Sequence, residues 1–283
     1  MHIDEEQALK DLVSKGIKIP PQPRVLVELN EQLISGEFDV RILSKTIAQD
    51  PGIAAMLFKA VRSPVFGSSK GLDELDKVLM LIGIKQTFNL VQAFAVASSM
   101  TDPSRKAYEV FWQRSRDVAQ LAALIAEERV SVCNVFPDQA YLAGIFHDCG
   151  VPLLMQRFPD YCREINLEDP RYGPALADED ARFNVDHSVA GYLVARHWKL
   201  PNFICSAIRF HHELPPDEAG ATITLVAILQ LAIHFYHRQM IVEDLSWTWL
   251  REPVMTELGL AFEDDDNYFD LITERLQRKT AGG

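Results

Sequence analysis

Tyr141-Leu-Ala-Gly-Ile-Phe-His147-Asp148-Cys149-Gly150 is the stretch that decides how this chain folds. An apolar run of helical spacing ends there in a His-Asp pair, and a glycine follows. Adjacent residues on a helix point about a third of a turn apart. A neighbouring His and Asp therefore reach one ion together only near a helix end or kink, and Gly150 supplies such a place. Imidazole plus carboxylate is the donor set of hydrolytic metal sites. More of these donors follow: His187, one residue after the helix-capping type Asp186, and His211-His212-Glu213, just before the breaker Leu214-Pro215-Pro216. Ligands from helix ends can converge in a bundle core. His147, Asp148, His187, His211 and His212 are thus the candidate metal ligands. Each also has a plainer reading: His187 as a surface residue beside its cap, His211 and His212 as side chains favouring the negative end of a helix.

Outward from this stretch the periodicity is helical almost throughout, so the expected fold is all-α. Val25, Leu26, Leu29 and Leu33 make one apolar stripe. The next helix carries Leu43 and Ile47 and stops before Asp50-Pro51, a cap followed by a residue suited to a first helical position. That pair opens a helix with Ile53, Leu57 and Val61 inward, ending near Ser63-Pro64, and a loop covers 65–71. Asp73 caps a helix through Ile82 with Gly83 at its end, and another runs from about Lys85 to Ser99. Asp102-Pro103 divides an N-terminal helical lobe (1–101) from a helical bundle with a C-terminal helical extension (102–283). In the second part, helices are expected over about Arg105–Glu128, from Pro137-Asp138 to His147-Asp148, after Gly150 to Phe158-Pro159, from Asp186, after Leu200-Pro201 to His211, over Ile223–His237, and through Phe269, Ile272 and Leu276 at the close. Asp169 to Asp180 reads as a loop. Asp178-Glu179-Asp180 and Asp264 to Asp266 read as solvated acid runs.

Composition narrows the function. The 283 residues are 48% hydrophobic and 24% charged, ordinary for a globular protein. A net charge of −12 argues against general nucleic-acid binding, which needs clustered Lys and Arg. Met1-His-Ile-Asp-Glu-Glu shows no signal-peptide pattern. The apolar stretch Ile223–Phe235 is too short to span a bilayer and holds Gln230 and His234. Cys133, Cys149, Cys162 and Cys205 lack the close pairing of a zinc knuckle, so free thiols in a reducing cytoplasm are expected. Cys149 sits among apolar residues and reads as an inert buried thiol. Trp247-Thr-Trp249 reads as core packing or a cap over the bundle.

Several segments, in order, resemble the HDOD family, the HD-related output domain of bacterial signalling. Ile19-Pro-Pro-Gln-Pro-Arg-Val, Ala48-Gln-Asp50-Pro51-Gly-Ile, Leu57-Phe-Lys-Ala-Val-Arg62-Ser63 and Leu79-Met-Leu-Ile-Gly83-Ile are similar to its opening motifs. Ala143-Gly-Ile-Phe-His147-Asp148-Cys149-Gly150, His187-Ser-Val-Ala-Gly191-Tyr-Leu, Trp198-Lys-Leu-Pro201 and His211-His212 are similar to its later ones. The resemblance covers nearly the whole chain. It implies an N-terminal helical lobe packed on an HD-like bundle.

The resemblance also implies a decayed active site. HD hydrolases hold their principal metal with an upstream His, the His-Asp pair and a late Asp. Here Arg114, in Trp112-Gln-Arg114-Ser115, stands at the first position and Ile233, in Ala232-Ile233, at the last. Arginine has no lone pair to donate and isoleucine no donor at all; the expectation is that Arg114 pairs with Asp148 instead. No Gly-Tyr-Pro follows Glu213, which sets the chain apart from the branch that cleaves cyclic di-GMP. The implied role is therefore non-catalytic: a cytoplasmic regulator acting through contacts with signalling proteins, with nucleotide sensing as one mode, no cofactor, and at most a residual divalent transition metal. No receiver, GGDEF or EAL segment is evident, so its input is expected from another molecule. The competing class is a divergent metal-dependent phosphohydrolase or phosphodiesterase.

Overall fold

Apolar residues recurring every three to four positions need a partner face, and the chain supplies helices for one another. The computed structural model describes residues 10, 12–17, 24–36, 39–49, 53–54, 57–58, 61, 74–84, 86–88, 90–91, 105–197, 202–216 and 222–281, and among these there is no strand. In the N-terminal lobe, α1 (Arg24–Ser35), α2 (Val40–Ala48) and α3 (Leu75–Ile82) bury Val25, Leu29, Leu43, Ile47, Val78 and Leu79. Asp39 caps α2 by accepting from the Arg41 and Ile42 amides at 2.8 and 3.4 Å. The α3 helix stops at Gly83, whose φ of 79° suits a residue without a Cβ. The expected Asp50-Pro51 turn, Ser63-Pro64, the 65–71 loop, Asp73, the Asp102-Pro103 boundary, most of 85–99 and two of the family-like segments (19–23 and 198–201) lie outside the described residues.

The second part is built on α4 (Arg105–Cys133), longer than the sequence led us to expect, and α5 (Pro137–Phe146). These two approach closely because Gly144 lies on Ala119: a Cβ at Gly144 would come within 2.4 Å of the Ala119 Cα. Short helices α6 (Val151–Arg157), α7 (Tyr161–Glu164) and α8 (Leu176–Phe183) follow. Then come α9 (His187–His197), α10 (Asn202–Phe210), α11 (Ile223–Gln239), α12 (Trp247–Glu257) and α13 (Asp265–Ala281). The α11 helix is buried nearly all round and packs on α4, α5, α10 and α12, so it forms the centre of the bundle. Pairs Arg275–Glu128 and Lys279–Glu127, at 2.5 and 2.6 Å, lay α13 along α4.

The segment around Lys15 meets this bundle. Leu12 and Ile17 are buried, and the Lys15 carbonyl accepts from the Arg157 Nε at 2.6 Å. No described helix is long and apolar enough to cross a membrane.

Two expectations fail in this part. The 169–180 loop closes early, since α8 begins at Leu176, and Glu179 is wholly buried rather than solvated. Asp265, in the acid run 264–266, is 6% exposed: it accepts from the Trp247 Nε1 at 3.1 Å and pairs with Arg251 at 3.2 Å. Its partners come from elements distant in sequence, which no local reading of an acid run reveals.

Candidate functional site

The His147-Asp148 pair lies in the turn after α5, and α9 arrives there with its first residues against Gly150. A Cβ on Gly150 would stand 2.0 Å from the His187 carbonyl oxygen and 2.6 Å from the Gly191 nitrogen. This glycine therefore admits His187 to the site. Asp186 caps α9, its Oδ1 accepting from the Val189 amide at 2.8 Å and from the Ser188 hydroxyl at 2.7 Å. That turns His187 inward, fully buried, and rules out the surface reading. His211 and His212 come in at the end of α10; the first is buried, the second partly so.

Four donors converge: Asp148, His187, His211 and His212 each offer one atom, all within 4.8 Å of one another. The Nε2 atoms of His187 and His211 are 3.0 Å apart, and that of His212 is 3.1 Å from His187. The Asp148 Oδ1 is 3.3 Å from His187 Nε2 and 3.2 Å from His211 Nε2. His147 lies on the other side of the carboxylate, its Nε2 3.3 Å from Oδ2.

The imidazoles are oriented from behind. The His147 Nδ1 is 2.6 Å from the Gly144 carbonyl and the His211 Nδ1 2.7 Å from the Ile208 carbonyl. A carbonyl only accepts, so both Nδ1 atoms carry hydrogen. The His187 Nδ1 donates to Glu179 Oε2 at 2.7 Å, and the His187 amide reaches the same oxygen at 2.9 Å. In the neutral form of these rings, the Nε2 atoms of His187 and His211 then hold lone pairs that face each other. Lone pairs 3 Å apart beside a carboxylate need a cation between them. A proton on His187 meets that need: burial opposes its charge, but Glu179 and Asp148 outweigh burial and push its pKa up to about 10. Burial, against the hydrogen bond to Asp148, and the neighbouring His187 push His211 down to about 4. The same donor set also fits a divalent transition metal, with Glu179 as the carboxylate behind a ligating histidine.

Glu179 went unrecognised in the sequence. Burial first, then the Glu179 charge, holds the Tyr161 phenol protonated, and it donates to Glu179 Oε1. The signal was present but faint: Glu179 shares a helix face with Leu176 and Phe183, at the three- and four-residue spacing of a buried stripe.

On the far side of Asp148 stands Arg114. Its Nη2 donates to Asp148 Oδ2 at 2.6 Å, and its Nη1 to the Tyr172 carbonyl at 3.0 Å. Both side chains of the pair are about 5% exposed. Burial alone would raise the Asp148 pKa, but His147 and Arg114 and the hydrogen bonds to the histidines hold it well below the usual carboxylate range. The pairing expected from the sequence is thus present. Ile233 lines the cavity above it and offers no donor. Asp244 lines the same cavity, but its carboxylate is engaged by His234 at 3.1 Å, His237 at 3.6 Å and Ser246. Cys149 is buried, and burial followed by the Asp148 charge pushes its thiol far up, as an inert cysteine requires. Trp247 stacks on His234 with centroids 4.1 Å apart, as core packing requires, while Trp249 is 57% exposed and lines the cavity.

The family described as HDOD domain matches residues 19–214. This chain belongs to the HDOD family. An uncharacterised protein of Treponema pallidum (strain Nichols) is 24% identical over 222 residues; these make up 77% of this HDOD chain and 42% of the relative, so the chain spans less than half of that protein. Crystal structures carry the same fold. An HDOD domain protein of unknown function from Geobacter sulfurreducens aligns at a TM-score of 0.67 and 20% identity, covering 98% of this chain and 94% of that one. A Marinobacter aquaeolei VT8 protein, provisionally named a signal transduction protein, aligns at 0.71 and 19%, covering 98% and 64%. A Shewanella amazonensis SB2B protein, provisionally named a phosphohydrolase, aligns at 0.64 and 19%, covering 96% of each.

Proposed function

We propose that this HDOD protein is a non-catalytic regulator that acts through contacts with signalling proteins, its former catalytic centre serving as a structural lock. The Arg114–Asp148 pair carries the reading. A metal ion that activates water is held by about three protein ligands with one position left open. The principal HD position retains only His147 and Asp148, and a guanidinium engages the second of them at 2.6 Å. The other cluster, Asp148 with His187, His211 and His212, would hold a residual divalent metal; bound there, the ion would supply charge and cross-linking. Four protein donors suit a closed, structural site better than a catalytic one.

The competing reading, a divergent phosphohydrolase, draws support from the cavity that His147, Asp148 and His212 line. One experiment separates the two. Protein purified without chelator is assayed for metal by mass spectrometry. It is then screened with p-nitrophenyl phosphate and bis(p-nitrophenyl) phosphate in the presence of Mn, Fe or Zn. The regulator should contain about one metal per chain at most and show no turnover above that of His147→Ala. The Arg114→His/Ile233→Asp variant should take up additional metal. Turnover by the unaltered protein that disappears in His147→Ala would overturn the proposal.

A further inference from the structure

Above the Arg114–Asp148 pair the fold encloses a cavity of about 520 Å³, within the range that takes a small organic molecule. Its walls are mostly carbon. Val118 and Ile233 are buried members of its lining, Tyr172, Tyr236 and Trp249 are aromatic ones, and Leu245 is an exposed one. The Tyr236 hydroxyl is spent on the Pro170 carbonyl at 2.9 Å, leaving its ring as apolar surface. Tyr172, Leu245 and Trp249 are 49, 64 and 57% exposed, a group of large apolar side chains whose cover by a ligand would be favourable.

The charges are arranged differently from those of a phosphate site. Phosphate recognition uses guanidinium or ammonium groups free to bind it. Of the two arginines that line the cavity, Arg114 is committed to Asp148 at 2.6 Å in a buried pair, while Arg171, at the exposed edge, shares its charge with Asp169 at 2.6 Å. Asp244 is turned to His234, His237 and Ser246, and Glu243 adds an exposed negative charge. An anion would meet three acids, Asp148, Glu243 and Asp244, against one arginine buried in a pair and one already neutralised by Asp169, with His147, His212 and His237 also in the lining.

We infer that this cavity is a binding site for an uncharged, largely aromatic small molecule, and that it does not receive nucleotides or other phosphates. Arg114 joins the cavity to the pair beneath, because it lines the cavity and holds the carbonyl of Tyr172, which lines it too. Occupancy and the arrangement around Asp148 are therefore linked through one side chain.

The test is a fluorescence titration of the full chain with N-phenyl-1-naphthylamine, an uncharged aromatic probe. A parallel titration uses 8-anilinonaphthalene-1-sulfonate, which has similar rings and a negative charge. Inorganic phosphate is the competitor, and every arm is run with and without EDTA. The uncharged probe should bind about one per chain, the sulfonate about tenfold more weakly, and phosphate should displace neither. Trp249→Ala and Leu245→Ala, both at exposed positions, should each weaken the uncharged probe by roughly fivefold to tenfold with unchanged circular dichroism. Retention of binding in EDTA separates this site from a residual metal. Absence of binding, tighter binding of the sulfonate, displacement by phosphate, loss in EDTA, or variants that bind as the parent does would each overturn the inference.

Discussion

The two oxygens of Asp148 face different surroundings. Oδ1 looks at the Nε2 atoms of His187 and His211, 3.3 and 3.2 Å away, with His212 beside them. Oδ2 looks at the Arg114 guanidinium at 2.6 Å and at His147. On the first side a cluster of lone pairs calls for a cation from outside, a proton or a metal. On the second the cation is covalently part of the chain. A buried carboxylate must be paired in either case, because an isolated buried charge costs several kcal/mol. The carboxylate thus has a permanent cation on one face, the Arg114 guanidinium, and on the other a histidine cluster able to exchange one.

Removing the shared carboxylate breaks both faces at once and should have the largest effect. In Asp148→Asn, Arg114 keeps a full charge in a buried place with an amide for a partner. Breaking a buried pair from one end costs ~3–5 kcal/mol, seen as a lowered urea midpoint and Tm. Any bound metal should be lost as well. A variant that melts within about 1 kcal/mol of the parent would show that the pair is not the lock proposed.

Glu179→Gln acts on the Oδ1 face alone and should be smaller. It removes the charge that receives the His187 Nδ1 and leaves the Arg114 pair untouched. A hydrogen bond to a charged group contributes ~1.5–3 kcal/mol, and loss of the carboxylate behind a ligating histidine typically weakens metal binding by about 10- to 100-fold. Metal affinity measured by competition against a chromogenic chelator, together with Tm, checks both. Equal metal affinity in Glu179→Gln and the parent would detach Glu179 from the site.

The asymmetry was half legible in the sequence. The family resemblance pointed to Arg114 and Ile233 as standing at implied ligand positions, and the inability of either to donate a lone pair follows from residue identity, so the Oδ2 face could be read directly. The helical framework was legible too, because Gly83, Gly150, Asp186 and Pro137 mark helix ends by local backbone chemistry. What escaped were Glu179 and Asp265, buried acids whose partners come from elsewhere in the chain. Glu179 is eight residues from His187 but also meets Tyr161, and Asp265 meets Trp247 and Arg251. Such a residue has the composition of a solvated one, and only the packing of other helices against it makes it a core group.

Asp244 offers the finest test, because it is the carboxylate that lines the cavity with Ile233 and yet belongs to neither face of Asp148. Burial would raise its pKa, but hydrogen bonds with His234 and Ser246 and the nearby His237 imidazole reverse this and hold it well below the usual 3.8. A carboxyl depressed on folding contributes stability that is present above its unfolded value and lost as pH falls through the folded one. Tm should therefore decline below about pH 4 in the parent, partly through Asp244 and partly through Asp148, whose pKa is also depressed. Asp244→Asn should cost ~1–2 kcal/mol at neutral pH and make the acid decline shallower, with metal content unchanged. If instead metal content fell with Asp244→Asn, Asp244 would be filling the position that Ile233 left, and the two faces of Asp148 would be more alike than their side chains indicate.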